Sequence, residues 1–168
     1  MRRTAIFLFA ILMVFSCTAC SSKNIQPADL SFTFHCKADI TAGGEKIKSD
    51  FHYTAPGIAS IQLLSGDLNG LNYYWSGGDF TISYVGLSAK SEDCVLPQNS
   101  FAVVLLQVLD YAQQEGALPK QKGRELSGSF NGIDFTITAD STTGHIQTIS
   151  VPGKGLHAEL YEYADEGL

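Results

Sequence analysis

The sequence is poor in charge, and in positive charge above all. Only 17% of its 168 residues are charged, with 11 Lys+Arg against 17 Asp+Glu and a net charge of −6. That balance leaves no electrostatic footprint for a nucleic acid. Proline is scarce (5) and glycine is not enriched beyond ordinary use (16), which excludes collagen-like and low-complexity chains. The longest apolar run, Ala5 to Phe15, is about 11 residues, short of the ~20 that cross a bilayer as a helix. Catalytic signatures are missing too. The sequence has no H-E-x-x-H, no Walker loop, no G-x-S-x-G and no S-x-x-K. Gly128-Ser129-Phe130-Asn131-Gly132 is flanked by glycines but puts Phe130 where a nucleophile would stand. Asp110, Glu115, Asp134 and Asp140 fall on polar faces or helix ends, without pairing. The expectation is a non-enzymatic protein without a cofactor or a metal. What is present in quantity is hydrophobic (45%) and aromatic (11%), enough for one compact domain.

The first twenty residues read as an export address. Arg2 and Arg3 precede the apolar run, and Ser16-Cys17-Thr18-Ala19-Cys20 closes it with small residues. The terminal cysteine makes the segment resemble a bacterial lipoprotein signal. That resemblance implies cleavage before Cys20, with 1–19 removed and Cys20 acylated. Val14-Phe15-Ser16-Cys17 is the competing box, with a bulky Phe15 in it. Cys17-x-x-Cys20 also has the spacing of a redox pair, but it sits in an export signal rather than beside a folded strand. Cleavage leaves 9 Lys+Arg against 17 Asp+Glu, a side-chain charge of −8. Residues 20–29 then form a short lipidated tether, about 15–18 Å in root-mean-square reach if flexible. The protein is expected outside the cytoplasm, held to the membrane by its lipid. Ser21 is compatible with outer-membrane sorting.

From Leu30 the chain alternates strictly. Leu30, Phe32, Phe34, Cys36, Ala38 and Ile40 share one face, and Gly43-Gly44 supplies a hairpin turn. The register places Ile40 opposite Ile47, Cys36 opposite Phe51 and Phe34 opposite Tyr53. It also sets Lys37 against Asp50, Asp39 against Lys48, and His35 beside His52. Gly77-Gly78 makes a second hairpin, pairing Trp75 with Phe80, Tyr73 with Ile82 and Leu71 with Tyr84. Asn131-Gly132 makes a third, pairing Phe130 with Ile133 and Leu126 with Ile137. Ile58–Leu64, Ile146–Val151 and Leu156–Tyr163 complete about nine strands. One helix begins after Asn99 or Ser100 and ends at Gly116. Its residues Phe101 to Ala112 are apolar around more than half the circumference, so it must be buried on most sides. The expected fold is α+β and mainly antiparallel β: residues 30–168 form a curved half-barrel meander wrapped on one long helix.

Tyr53-Thr54-Ala55-Pro56-Gly57-Ile58, Leu68-Asn69-Gly70-Leu71-Asn72-Tyr73-Tyr74-Trp75, the helix and the Asn131-Gly132 hairpin together resemble the LolA/LolB-like family of lipoprotein carriers and receptors. That resemblance implies an unclosed half-barrel plugged by helix, and a hydrophobic ligand such as a lipid or acyl chain. Two elements of that family are not legible: an amphipathic helix ahead of the first strand, and a protruding loop with an apolar tip.

Candidate ligand-binding residues are Phe34, Phe51, Tyr53, Tyr73, Trp75, Phe80 and Tyr84 on the apolar strand faces, with Phe101 and Leu105 of the helix facing them. The same residues serve equally as a filled core, in which case the domain is a structural or partner-binding envelope module. Cys36 and Cys94 form an even pair in an exported protein, which suggests a disulfide, with two buried thiols as the alternative. His35 and His52 could hold a metal with a third ligand, but surface histidines are the commoner case. Lys120, Lys122 and Arg124 read as a small, solvated basic loop.

Overall fold

The computed structural model describes residues 24–91, 96 and 100–164. The expected export segment 1–19, with Cys17, and Cys20, Cys94 and Asn99 lie outside the described residues. Eleven strands form one antiparallel sheet: β1 (Phe34–Ala42), β2 (Glu45–Ala55), β3 (Ile58–Leu63), β4 (Asn72–Ser76), β5 (Phe80–Tyr84), β6 (Leu87–Ser91), β7 (Lys120–Lys122), β8 (Glu125–Phe130), β9 (Ile133–Ala139), β10 (Ile146–Val151) and β11 (Leu156–Tyr161). Their spatial order is β6-β5-β4-β3-β2-β1-β11-β10-β9-β8-β7, so the sheet is open and its first and last strands are the edges. Among the described residues a single α-helix, α1 (Phe101–Ala112), lies on one face.

All three hairpin registers read from the sequence are present. Ile40 pairs with Ile47 and Phe34 with Tyr53; Trp75 pairs with Phe80; Phe130 pairs with Ile133. Gly43 (φ 59°) and Gly44 (φ 89°) both take the left-handed conformation that a two-residue turn of this hand demands. The strand count is corrected from nine to eleven. The two additions, β6 and β7, are the edges. Leu-Ser-Ala-Lys-Ser and Lys-Gln-Lys carry too little alternation to read as strands, because an edge needs one paired neighbour and little core. Lys120 and Lys122 thus belong to a strand rather than a loop.

The expected start of β1 at Leu30 is also corrected. Pro27–Asp29 form a 3₁₀ turn, and the Ser31 amide donates to the Gly144 carbonyl at 2.9 Å. That bond draws the segment toward the turn between β9 and β10 and out of register with β2. The expected tether is shortened as well. Ile25 is only 1% exposed, and its amide donates to the Gly123 carbonyl at 2.9 Å.

One helix touches both wings of the sheet. Phe101 packs on Tyr73 of β4, with ring centroids 6.0 Å apart, and Tyr111 packs on Phe135 of β9 at 6.1 Å. Those two helix residues are about 15 Å apart along the axis. The two strands would be about 29 Å apart in a flat sheet. The sheet therefore curls around the helix, and the apolar phase of its strands lines the concave side. Ala102, Leu105 and Leu109 at 0% exposure mark how fully the helix is enclosed.

Candidate ligand-binding face

The concave face is closed at its centre and open at one wing. Phe34, Phe51, Tyr53, Phe80 and Leu105 are each no more than 2% exposed. Phe34 meets Phe51 edge-on at 5.3 Å and stacks on Tyr53 at 5.8 Å. Trp75 packs on Phe80 at 5.2 Å. Tyr73 and Trp75 are buried too. Among the nine residues singled out from the sequence, these central ones are packed against one another. Tyr84 and Phe101 are half-buried, and the other seven are buried.

A polar latch holds the helix to the sheet. The Tyr53 hydroxyl donates to Asp110 Oδ1 at 2.6 Å, and the Gly57 amide donates to the same oxygen at 3.1 Å. Gln113 Nε2 donates to the Tyr53 hydroxyl at 2.6 Å and to the Leu109 carbonyl at 3.2 Å. Burial and then the neighbouring Asp110 carboxylate push the Tyr53 pKa up, so the phenol stays a donor. Sequence reading left Asp110 unassigned. The available signal was its i, i+3 spacing from Gln113 on an otherwise apolar helix. Tyr53→Phe leaves Asp110 short of a donor and Gln113 short of an acceptor. It is expected to cost about 1–3 kcal/mol in urea unfolding, with secondary structure retained.

At the β4–β6 wing, exposure rises steadily along the concave phase. Phe80 is buried, Ile82 and Tyr84 are half-buried, and Leu87 is 75% exposed. Register shows that these share a face: Ile82 pairs with Ala89 and Tyr84 with Leu87. With Leu71 and Ser88 they line a cleft of about 280 Å³. Its rim is apolar too. Leu68 is 50% exposed and Val85 80%, and the Tyr84 hydroxyl ties this rim together by donating to the Asp67 carbonyl at 3.2 Å. Val85 sits at φ 48° in the turn between β5 and β6. A β-branched residue there costs about 1–2 kcal/mol relative to glycine. An apolar tip is thus present. It escaped the sequence reading because it is a two-residue hairpin turn and not a long loop.

The remaining sequence candidates fall elsewhere. Cys36 is a free, buried thiol, and burial pushes its pKa up to about 12, next to the Tyr163 hydroxyl. The resulting neutral thiol is a poor nucleophile. His35 and His52 are adjacent on the outer face, with ring centroids 5.3 Å apart. His35 Nε2 is 2.6 Å from Asp50 Oδ1, and Lys37 Nζ donates to Asp50 Oδ2 at 2.8 Å. Burial works against the Asp50 charge, but these two bonds outweigh it and hold the carboxyl below its usual range. No cluster of three metal-ligating side chains occurs among the described residues. Asp39 lies opposite Lys48 as expected, and its carboxylate accepts from the Tyr161 hydroxyl at 2.7 Å. No helix among the described residues is long and apolar enough to cross a membrane.

No family model matches the chain, and no curated protein does. Among solved structures, the chain is similar to the crystal structure of a LolA superfamily protein from Nitrosomonas europaea. That protein is 8% identical, with a TM-score of 0.40, over 83% of this chain and 88% of that one.

Proposed function

We propose that this is a lipid-anchored cell-envelope protein of LolA/LolB-like build whose open β4–β6 wing binds a hydrophobic ligand, an acyl chain or comparable lipid segment. The observation that carries the reading is the apolar shelf that runs from half-buried Ile82 and Tyr84 to exposed Leu87 and Ala89, with buried Leu71 beneath it. It lies on the same sheet face as the closed core. A face built to exclude water is left uncovered at one end, and a ligand that removes this surface from water gains about 25 cal/mol per Å². Few polar groups are needed, because the ligand is held by area.

In this reading the binding residues are those of the shelf, with Tyr73 and Phe101 at its inner end. Phe34, Phe51, Tyr53, Trp75, Phe80 and Leu105 form the wall behind it. Native mass spectrometry of the full chain, released gently from detergent, tests the proposal. A co-purifying lipid is expected on the native chain and is expected to be lost in Leu87→Glu. That substitution adds charge at an exposed position and should leave folding intact. A ligand-free mass for the native chain under several conditions would favour the second reading, a partner-binding envelope module. The packing of Phe51 and Trp75 supports that alternative.

A further inference from the structure

We propose that the outer face of β1–β5 carries a second binding site, for a neutral, hydroxyl-rich glycan chain. It lies on the side of the sheet opposite the apolar shelf and goes beyond the ligand proposed there.

Register builds the site from two parallel rows. His35 pairs with His52, His52 with Ser60, and Ser60 with Tyr74. Two residues along each strand, Asp50 pairs with Gln62, Gln62 with Asn72, and Asn72 with Ser83. Both rows point outward, because the residues between them, Phe51, Ile61 and Tyr73, are buried on the concave phase. Each row crosses four strands, about 14 Å. Together His35, His52, Ser60 and the second row line a cleft of about 450 Å³.

The first row supplies rings. The His35 and His52 imidazoles are 5.3 Å apart between centroids. Tyr74, beside Ser60 and two residues from Asn72, is 44% exposed, an unusual share for a tyrosine in the body of a sheet. The second row supplies hydrogen bonds. The Gln62 and Asn72 amides and the Ser60 and Ser83 hydroxyls make no side-chain hydrogen bond to another described residue. Four groups able to donate and accept are thus left for a ligand.

Charge and polarity narrow the occupant. Among the described residues Asp50 is the only acid lining the cleft. One of its oxygens is 2.6 Å from His35 Nε2, and the other accepts from Lys37 Nζ at 2.8 Å. An ionic ligand therefore finds no unpaired charge here. The lining has no apolar side chain, so an acyl chain would gain little from it. Strands β1 to β5 are each paired on both sides, so a peptide cannot join this face as a strand. A sugar meets both rows at once. Its C–H face stacks on an aromatic ring while its hydroxyls bond amides and hydroxyls. Rows of this length suit several linked sugars better than one.

Isothermal titration calorimetry of the full chain in detergent tests the proposal. The probes are maltohexaose, cellohexaose and chitohexaose, with an oligogalacturonate of equal length as the anionic control. At least one neutral chain is expected to bind, and which one binds separates a plain glucan from an N-acetylated chain. Its single sugar should bind at least tenfold more weakly. Tyr74→Ala and Gln62→Ala/Asn72→Ala change outward side chains only, and each is expected to weaken binding about tenfold. Leu87→Glu, on the opposite face, should leave it unchanged, so the shelf and this site can fail separately. No binding of any neutral chain, equal or tighter binding of the oligogalacturonate, or an affinity insensitive to both outer-face variants would overturn the inference.

Discussion

Cys20→Ser is expected to abolish incorporation of labelled palmitate and to move the protein from the membrane fraction to the soluble one. Cys17→Ser is expected to leave both unchanged. The contrast follows from the residues ahead of each thiol: Thr18-Ala19 are small enough for a signal peptidase to accept beside Cys20, while Phe15-Ser16 precede Cys17. The effect is all or none in energetic terms. Each buried methylene contributes ~0.8 kcal/mol, so a pair of long acyl chains holds the protein irreversibly on any experimental timescale. Among the described residues no helix is long and apolar enough to cross a bilayer, and residues 20–168 carry 9 Lys+Arg against 17 Asp+Glu. Palmitate labelling that survives Cys20→Ser and disappears in Cys17→Ser would reassign the anchor.

Gly128→Ala is expected to be strongly destabilising; with Gly144, Gly128 is one of two described glycines where an added Cβ would meet backbone at under 3 Å. Gly128 lies on the concave phase of β8, directly opposite Phe135. A Cβ built there would stand 2.3 Å from the Ala117 carbonyl oxygen and 2.7 Å from Phe135 Cζ. The ring of Phe135 occupies the space a side chain would take, and Tyr111 of the helix packs on that ring and on Phe130 at 5.0 Å. Overpacking at this point pushes on backbone on one side and on the seat of the helix on the other. A loss of about 3 kcal/mol is expected, which lowers the melting temperature by roughly 10 °C for a domain of this size. Thermal unfolding by circular dichroism measures it. A shift of less than a degree or two would mean that Phe135 repacks freely and that the helix is not held at this wing. Gly132, in the turn of the same hairpin, has open space around it, so its requirement is the φ of 76° alone.

The elements that sequence reading placed correctly are those where two independent signals agree. In the β1–β2 hairpin the Gly-Gly turn, the alternation and the opposite-charge pair of Lys37 and Asp50 all select one register, and a slip by one residue would turn every side chain over. The edges carried only one signal or none. Lys-Gln-Lys has no hydrophobic phase, and β6 has only Leu87 and Ala89, both left uncovered. The docking of Ile25 was invisible because a single apolar residue in a polar stretch looks like any other exposed side chain. The central ambiguity had a different origin. An inward row of aromatics has the same sequence whether it lines a cavity or fills one. Only the packing of Phe34, Phe51 and Tyr53, and the contrast with Leu87, separates wall from shelf.

The proposed activity is defined by where a lipid chain meets the protein. Photocrosslinking with a diazirine-bearing fatty acid, followed by peptide mapping, reads this directly on the full chain. Label concentrated on residues 82–89, with little on 34–53, is the predicted result. Label centred on Phe51, Tyr53 or Leu105, or none above the background of a non-binding protein, would contradict it.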